Sequence, residues 1–184
     1  MRLAKSDTDR IDDIQAQWRD AAPDLDTSPI GILGRIYRIA DLSGRQIGAV
    51  FESHGLERGE FDVLATLYRS GAPHELTPTD LYRELLISSG GLTHRLNQLE
   101  EAGLIERTKS DADGRSWRVR LTKAGRQRVL AAYRDDLAVE ARLLHGLSAD
   151  DRAQLIGLLR KLHLAVAQTA DVEAPPLKAK RRGQ

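Results

Sequence analysis

The 184-residue chain contains no cysteine. That single absence removes thiolate metal centres, iron–sulfur clusters, disulfide frameworks and cysteine nucleophiles together. No apolar run approaches the ~18 residues of a membrane span, and Asp7, Asp9, Asp12 and Asp13 occupy the place where a signal peptide would carry its apolar core. A cytoplasmic protein with no membrane partner is expected. An excess of one charge is missing too, because 28 Lys and Arg stand against 27 Asp and Glu, a formal +1 that by itself points to no polyanionic partner. Catalytic signatures are equally scarce. There is no glycine-rich phosphate loop, no G-x-S-x-G elbow and no H-E-x-x-H pair, and the five histidines fall on separate segments. Asp111-Ala112-Asp113-Gly114 is similar to the start of a calcium loop, but its glycine comes too early and the closing glutamate is missing. The expectation is therefore a protein that is not an enzyme, with no catalytic residue, metal site or cofactor.

What is present suits one globular domain with helical extensions: 41% hydrophobic and 30% charged residues. Ser6 with Asp9 reads as a capping box for a first helix over 7–22, with Ile11, Ile14 and Trp18 at helical spacing up to Pro23. Ser28 before Pro29 marks a second, long helix whose apolar stripe runs from Ile30 through Tyr37 and Ile47 to Phe51 and ends near Gly55. Gly34, Gly44 and Gly48 on it suggest close approach of another helix, since each glycine costs about 1 kcal/mol of helix propensity. Three shorter helices over 60–70, 77–86 and 89–102 follow on short connections. Thr77-Pro78-Thr79-Asp80 is the best-marked start among them. Beyond Gly103 the period becomes two, and 104–108 and 117–121 read as a β-hairpin around a polar tip. Thr122 then caps a helix ending near Gly146, and Ser148 with Asp151 caps the last one, to 170.

Three helices and then a hairpin is the order of a winged helix-turn-helix. The fold class expected is mainly α with a small β-hairpin wing. Charge follows the same order: between 104 and 128 eight basic residues face three acids, whereas between 1 and 29 seven acids face four basic residues. On the third short helix Leu92, Leu96 and Leu99 form one stripe, and Gly90, His94, Asn97 and Glu101 lie opposite. Thr93, His94 and Asn97 can then face base edges, and the Gly90-Gly91 pair leaves the helix start free to approach a phosphate. With Ser88 and Ser89 beside that start and Arg115 and Arg118 on the hairpin, the candidate DNA contacts are Ser88, Ser89, Gly90, Thr93, His94, Asn97, Arg115 and Arg118. The glycine pair could equally be plain loop, with the helix beginning at Thr93.

Residues 76–126, LTPTDLYRELLISSGGLTHRLNQLEEAGLIERTKSDADGRSWRVRLTKAGR, resemble the MarR-type transcription factors, and the similarity extends over 30–166. Asp113-Gly114-Arg115 is similar to that family's Asp-x-Arg wing signature, in which the arginine reaches the minor groove and the aspartate orients it. The resemblance implies an obligate homodimer built by the terminal helices, with two recognition helices reading a pseudo-palindromic site at a spacing of ~10 base pairs. Trp18, PDLDTSPIGILGRI and FDVLATL resemble the urate-responsive branch, which has an added first helix. For that branch the resemblance implies that Trp18, Asp62, Arg95 and Arg107 form a ligand pocket and its linkage to DNA.

Geometry is compatible with part of this, since Arg95 lies about 60° from the Leu92 stripe, at its inward edge. An inward arginine needs a partner, and Asp62 can supply it. A planar anion stacked near Trp18 and held by Arg107 would then repel Asp62 and disturb Arg95. Plainer roles stay open: a packing anchor for Trp18, a helix-dipole contact for Asp62, phosphate contacts for the two arginines. The expected division is 1–58 for the added and dimerisation helices, 59–122 for the DNA-binding lobe, 123–170 for the C-terminal dimerisation helices, and 171–184 for a flexible basic tail. The expected function is a DNA-binding repressor released from its operator by a small anionic aromatic effector. A winged helix used only for protein contacts is the alternative, and it would lack salt-sensitive DNA binding.

Overall fold

The computed structural model describes residues 8–85, 91–109 and 117–173. In chain order these form α1 (Arg10–Ala21), α2 (Ser28–Ser53), α3 (Arg58–Arg69), β1 (Glu75–Leu76), α4 (Pro78–Glu84), α5 (Leu92–Glu101), β2 (Ile105–Lys109), β3 (Trp117–Leu121), α6 (Lys123–Leu143) and α7 (Ala149–Glu173). The chain divides into two units, 1–141 and 142–184. Among the described residues no helix is long and apolar enough to cross a membrane.

Local chemistry accounts for most element starts. Thr77 accepts from the Asp80 amide at 3.1 Å, and its hydroxyl donates to the Asp80 carboxylate at 2.7 Å, so α4 begins where expected. The Thr122 hydroxyl accepts from the Gly125 amide at 3.0 Å and opens α6. α1 starts later than expected: Asp9 is its cap, and Asp9 and Asp12 form the reciprocal box. Ser6 lies outside the described residues. Ser28 belongs to the first turn of α2, and the carboxylate of Asp26 accepts its amide at 2.9 Å. Gly91, at φ +92, caps α5 in the left-handed region that glycine reaches without strain, and the helix begins at Leu92; the expected start at residue 89 lies outside the described residues.

The core of the first unit gathers on α3, whose Val63, Leu64 and Leu67 are completely buried. Phe61 stacks on Phe51 of α2 at 4.2 Å between ring centres and meets Tyr133 of α6 at 6.1 Å. Leu96 and Leu99 bury the inner face of α5 against this core, as their spacing predicts. The wing differs from the expected hairpin. It is a three-stranded antiparallel sheet in the order β1-β3-β2, because Glu75 and Leu76 pair with Arg120 and Val119. Val119 and Leu121 point into the core from the central strand. A two-residue strand has no period of its own, so only pairing reveals it.

α1 lies on α2, where Arg35 bonds Asp9 at 2.9 Å and Asp12 at 2.8 Å. A Cβ at Gly34 would stand 3.2 Å from Ile11, so this glycine does serve close helix approach. A Cβ at Gly44 or Gly48 would meet nothing within 4 Å, and for them the expected approach is not found among the described residues. In the second unit Ser148 and Asp151 cap α7 reciprocally, and Arg152 donates to the carbonyls of Leu144 and Leu147. α7 runs to Glu173, past the expected end at residue 170, and the remaining tail, 174–184, lies outside the described residues.

At the start of α6 a Cβ on Gly125 would stand 2.0 Å from the Leu104 carbonyl oxygen, which is backbone and cannot step aside. Gly125→Ala should therefore destabilise the fold by about 1–3 kcal/mol, despite the helix propensity alanine gains. Urea unfolding followed by circular dichroism measures this, and an unchanged midpoint contradicts the packing.

Candidate functional site

The outward face of α5 presents Thr93, His94 and Asn97, all exposed. The leucine stripe forces this, because a helix of this length with Leu96 and Leu99 buried turns its other face to solvent. Ser88, Ser89, Gly90 and Arg115, with the whole Asp113-Gly114-Arg115 signature, lie outside the described residues. Arg118 is on β3 and forms an ion pair with Glu75 of β1 at 3.4 Å, so the third strand supplies a partner that the expected hairpin lacked.

Arg107 sits on β2 next to α5. Its Nη2 donates to the Asn97 side-chain oxygen, and its Nε stands 3.1 Å from the Glu100 carboxylate. A residue expected to hold a ligand and a residue expected to read DNA are therefore in direct contact. Neither helical spacing nor strand period could reveal this pair, which depends on how β2 returns against α5. Beside it lies a cavity of about 300 Å³ lined by Pro78, Thr93, Leu96, Glu100, Arg107 and Trp117. It combines apolar walls, an indole, a hydroxyl and one guanidinium that is already paired with the Glu100 carboxylate, so a small planar anion would have to displace Glu100 to reach it. Glu100, Trp117 and Pro78 are not among the candidates that the sequence offers. Among the described residues no group of three or more acid or imidazole side chains could hold a metal ion.

Arg95 leaves α5 on the other side and lies along the start of α3. A Cβ at Gly59 would stand 2.3 Å from its Nε and 2.5 Å from its guanidinium carbon, so glycine at 59 is what admits the arginine there. The inward direction inferred for Arg95 is the one observed. Asp62, half-buried on α3, is attracted by Arg58, Arg95 and Arg69, yet its Oδ2 is buried without a hydrogen-bond partner. Burial outweighs those three attractions and pushes the Asp62 carboxyl above the usual carboxylate range. Trp18 is 47% exposed on α1. The structure places Asp62 within the electrostatic reach of Arg58, Arg95 and Arg69 and brings Arg107 to Asn97, but the four residues do not line one cavity: of them, only Arg107 lines the cavity beside α5.

Known proteins resemble this chain in sequence and fold. The family model described as MarR family matches residues 54–116. The HTH-type transcriptional regulator PecS of Dickeya dadantii is 34% identical over 152 residues, which span 83% of this chain and 92% of PecS. Sco5413 of Streptomyces coelicolor, a MarR family transcriptional regulator, superposes with a TM-score of 0.65 at 21% identity, over 78% of this chain and 98% of that one. A cysteine-to-serine mutant of E. coli MarR, solved with operator DNA, gives 0.61 at 24% identity, over 79% and 96%. At those identities the two structures testify to the fold.

The Asp62 shift has a definite sign. With its folded pKa above the unfolded value, stability is complete below the unfolded pKa and is lost as pH rises through the folded one. Asp62→Asn cannot ionise, so its melting temperature should gain on wild type as pH rises from about 4. Thermal melts across that range read the difference, and a gap that is constant or shrinks contradicts the burial of this carboxyl.

Proposed function

The chain belongs to the MarR family of DNA-binding transcriptional regulators and is not an enzyme; from that premise we propose that it is a homodimeric repressor released from a pseudo-palindromic operator by a small anionic aromatic ligand. The observation that carries the ligand half is the bond between Arg107 and Asn97. An anion in the cavity beside Arg107 competes for the guanidinium that holds Asn97, so occupancy is felt by a side chain on the DNA-facing side of α5. Urate and phenolic or aromatic carboxylates have the charge and flatness this lining suits. Thr93, His94 and Asn97 would read base edges, while Ser88, Ser89, Gly90, Arg115 and Arg118 would contact the backbone and minor groove.

The dimer reading draws on the apolar side chains left at the surface. Leu25, Ile32, Leu33, Tyr37, Ile39 and Leu42 are exposed on α2 and just before it. On α7, Leu155, Ile156, Leu158, Leu159, Leu164 and Val166 are exposed as well. Surfaces this apolar are a feature of chains that associate. Two copies joined through the terminal helices would carry two recognition helices about one turn of DNA apart. Action on an operator goes with a cytoplasmic location, and Trp18 would add to the ligand site from the added helix.

Titration of an operator duplex, selected by the protein from a random pool, tests the DNA half. Affinity should fall steeply between roughly 50 and 200 mM salt, and Arg115→Ala should weaken it by roughly tenfold, the order of one base-edge contact, without loss of dimer or helix. Binding absent at low salt contradicts the reading. For the ligand half, urate and benzoate are added to the complex. Trp18→Phe should keep operator binding but need more ligand for release, whereas Arg107→Ala, which also frees Asn97, should weaken operator binding and no longer respond to ligand. An equal response in wild type and both variants removes this site from the mechanism.

A further inference from the structure

One edge of the Arg107 guanidinium, the fork made by Nε and Nη2, is shared between two residues of α5. Nη2 donates to the side-chain oxygen of Asn97, and Nε stands 3.1 Å from the Glu100 carboxylate. Asn97 and Glu100 are three residues apart and therefore neighbours on one face of the helix. The two contacts differ in kind. The Nε–H is buried and makes no hydrogen bond among the described residues, so it is close enough to Glu100 for attraction between charges but is not aimed at a carboxylate oxygen. Glu100 neutralises Arg107 without satisfying it. The Glu100 side chain is also the more exposed of the pair, 43% against 22%, so water can take up its carboxylate once it lets go. Both residues line the cavity beside α5.

We propose that Glu100 is the resident competitor of the effector: its carboxylate holds the place on Arg107 that an anionic ligand must take, and so sets the ligand concentration at which the site fills. An anion with an oxygen in line with the Nε–H gains a charge-assisted hydrogen bond that Glu100 does not make, and this favours the exchange. The exchange also changes the local charge. Arg107 and Glu100 cancel in the empty site. A bound monoanion cancels Arg107 in its turn, and the released Glu100 leaves one net negative charge on α5 beside Thr93 and Asn97, where it opposes the approach of DNA phosphate. An uncharged ligand of the same shape cannot compete for the guanidinium's charge and leaves the pair in place. The next acid, Glu101, lies about 100° further round the helix and does not line the cavity.

This inference rests on the proposed ligand site at Arg107, and the test keeps the two apart. Benzoate and its uncharged counterpart benzamide are titrated calorimetrically into the full-length protein without operator, as wild type, Glu100→Gln, Glu100→Ala, Glu101→Gln and Arg107→Ala. Benzoate should bind both Glu100 variants about threefold to fivefold more tightly than wild type, the scale of a partly exposed ion pair. Benzamide should bind wild type and the Glu100 variants alike. Glu101→Gln, which removes the same charge one position along, should bind benzoate as wild type does. Unchanged or weaker benzoate binding by the Glu100 variants, with binding lost in Arg107→Ala, overturns the role of Glu100 and leaves the site standing. A gain shared by benzamide or by Glu101→Gln overturns it as well, because space or net charge then accounts for the effect. If Arg107→Ala binds benzoate like wild type, the site itself falls and the inference with it.

Discussion

α5, the proposed recognition helix, is held by guanidinium groups on both sides. Arg95 reaches from α5 across Gly59 onto α3, and Arg107 reaches from β2 onto Asn97 and Glu100. The leucine stripe anchors the helix more strongly than either arginine. Leu96 and Leu99 are almost wholly buried, which is worth about 1.5–3 kcal/mol each, whereas a partly exposed ion pair such as Arg107–Glu100 contributes about 1 kcal/mol or less. For the ligand-controlled reader proposed above, that ordering would let an anion take an arginine away from α5 and leave the helix folded and docked, changed only in how its outer side chains are held.

The wing explains why local charge overstates the pull on DNA. Of the basic residues between 104 and 128, Arg107 is paired with Glu100, Arg118 with Glu75 and Arg120 with Glu106. Two of those acids come from outside the hairpin, from α5 and from β1. Lys109 stands 6.0 Å from the Trp117 ring, and Arg128 donates to the His54 carbonyl. Much of the positive charge that stands out along the chain thus already has a use within the fold, and the field offered to phosphate is smaller than the residue count implies.

What could be read from the amino-acid order was whatever short-range chemistry decides. Thr77 with Asp80, Ser148 with Asp151, the two main wing strands and the buried side of α5 all follow from a cap or a period within a few residues. The inward turn of Arg95 was legible for the same reason. β1 was not, since two residues acquire strand geometry only from β3 beside them. The burial of Asp136 was not either, because a helix reads the same whether its acid faces solvent or the interior. The Arg107–Asn97 contact joins residues on different elements and belongs to packing alone. Capping at Asp9 in place of Ser6 shows two equally good local signals, decided by where Arg35 draws the acids of α1 onto α2.

If ligand and operator compete through α5, linkage makes the competition measurable from the ligand's side. Benzoate or urate is titrated calorimetrically into the free protein and into its saturated operator complex. Ligand must bind the complex more weakly than the free protein, by the same factor by which it weakens operator binding, within the ~5–150-fold range of such couplings. Equal ligand affinity in the two titrations contradicts control of the operator through α5.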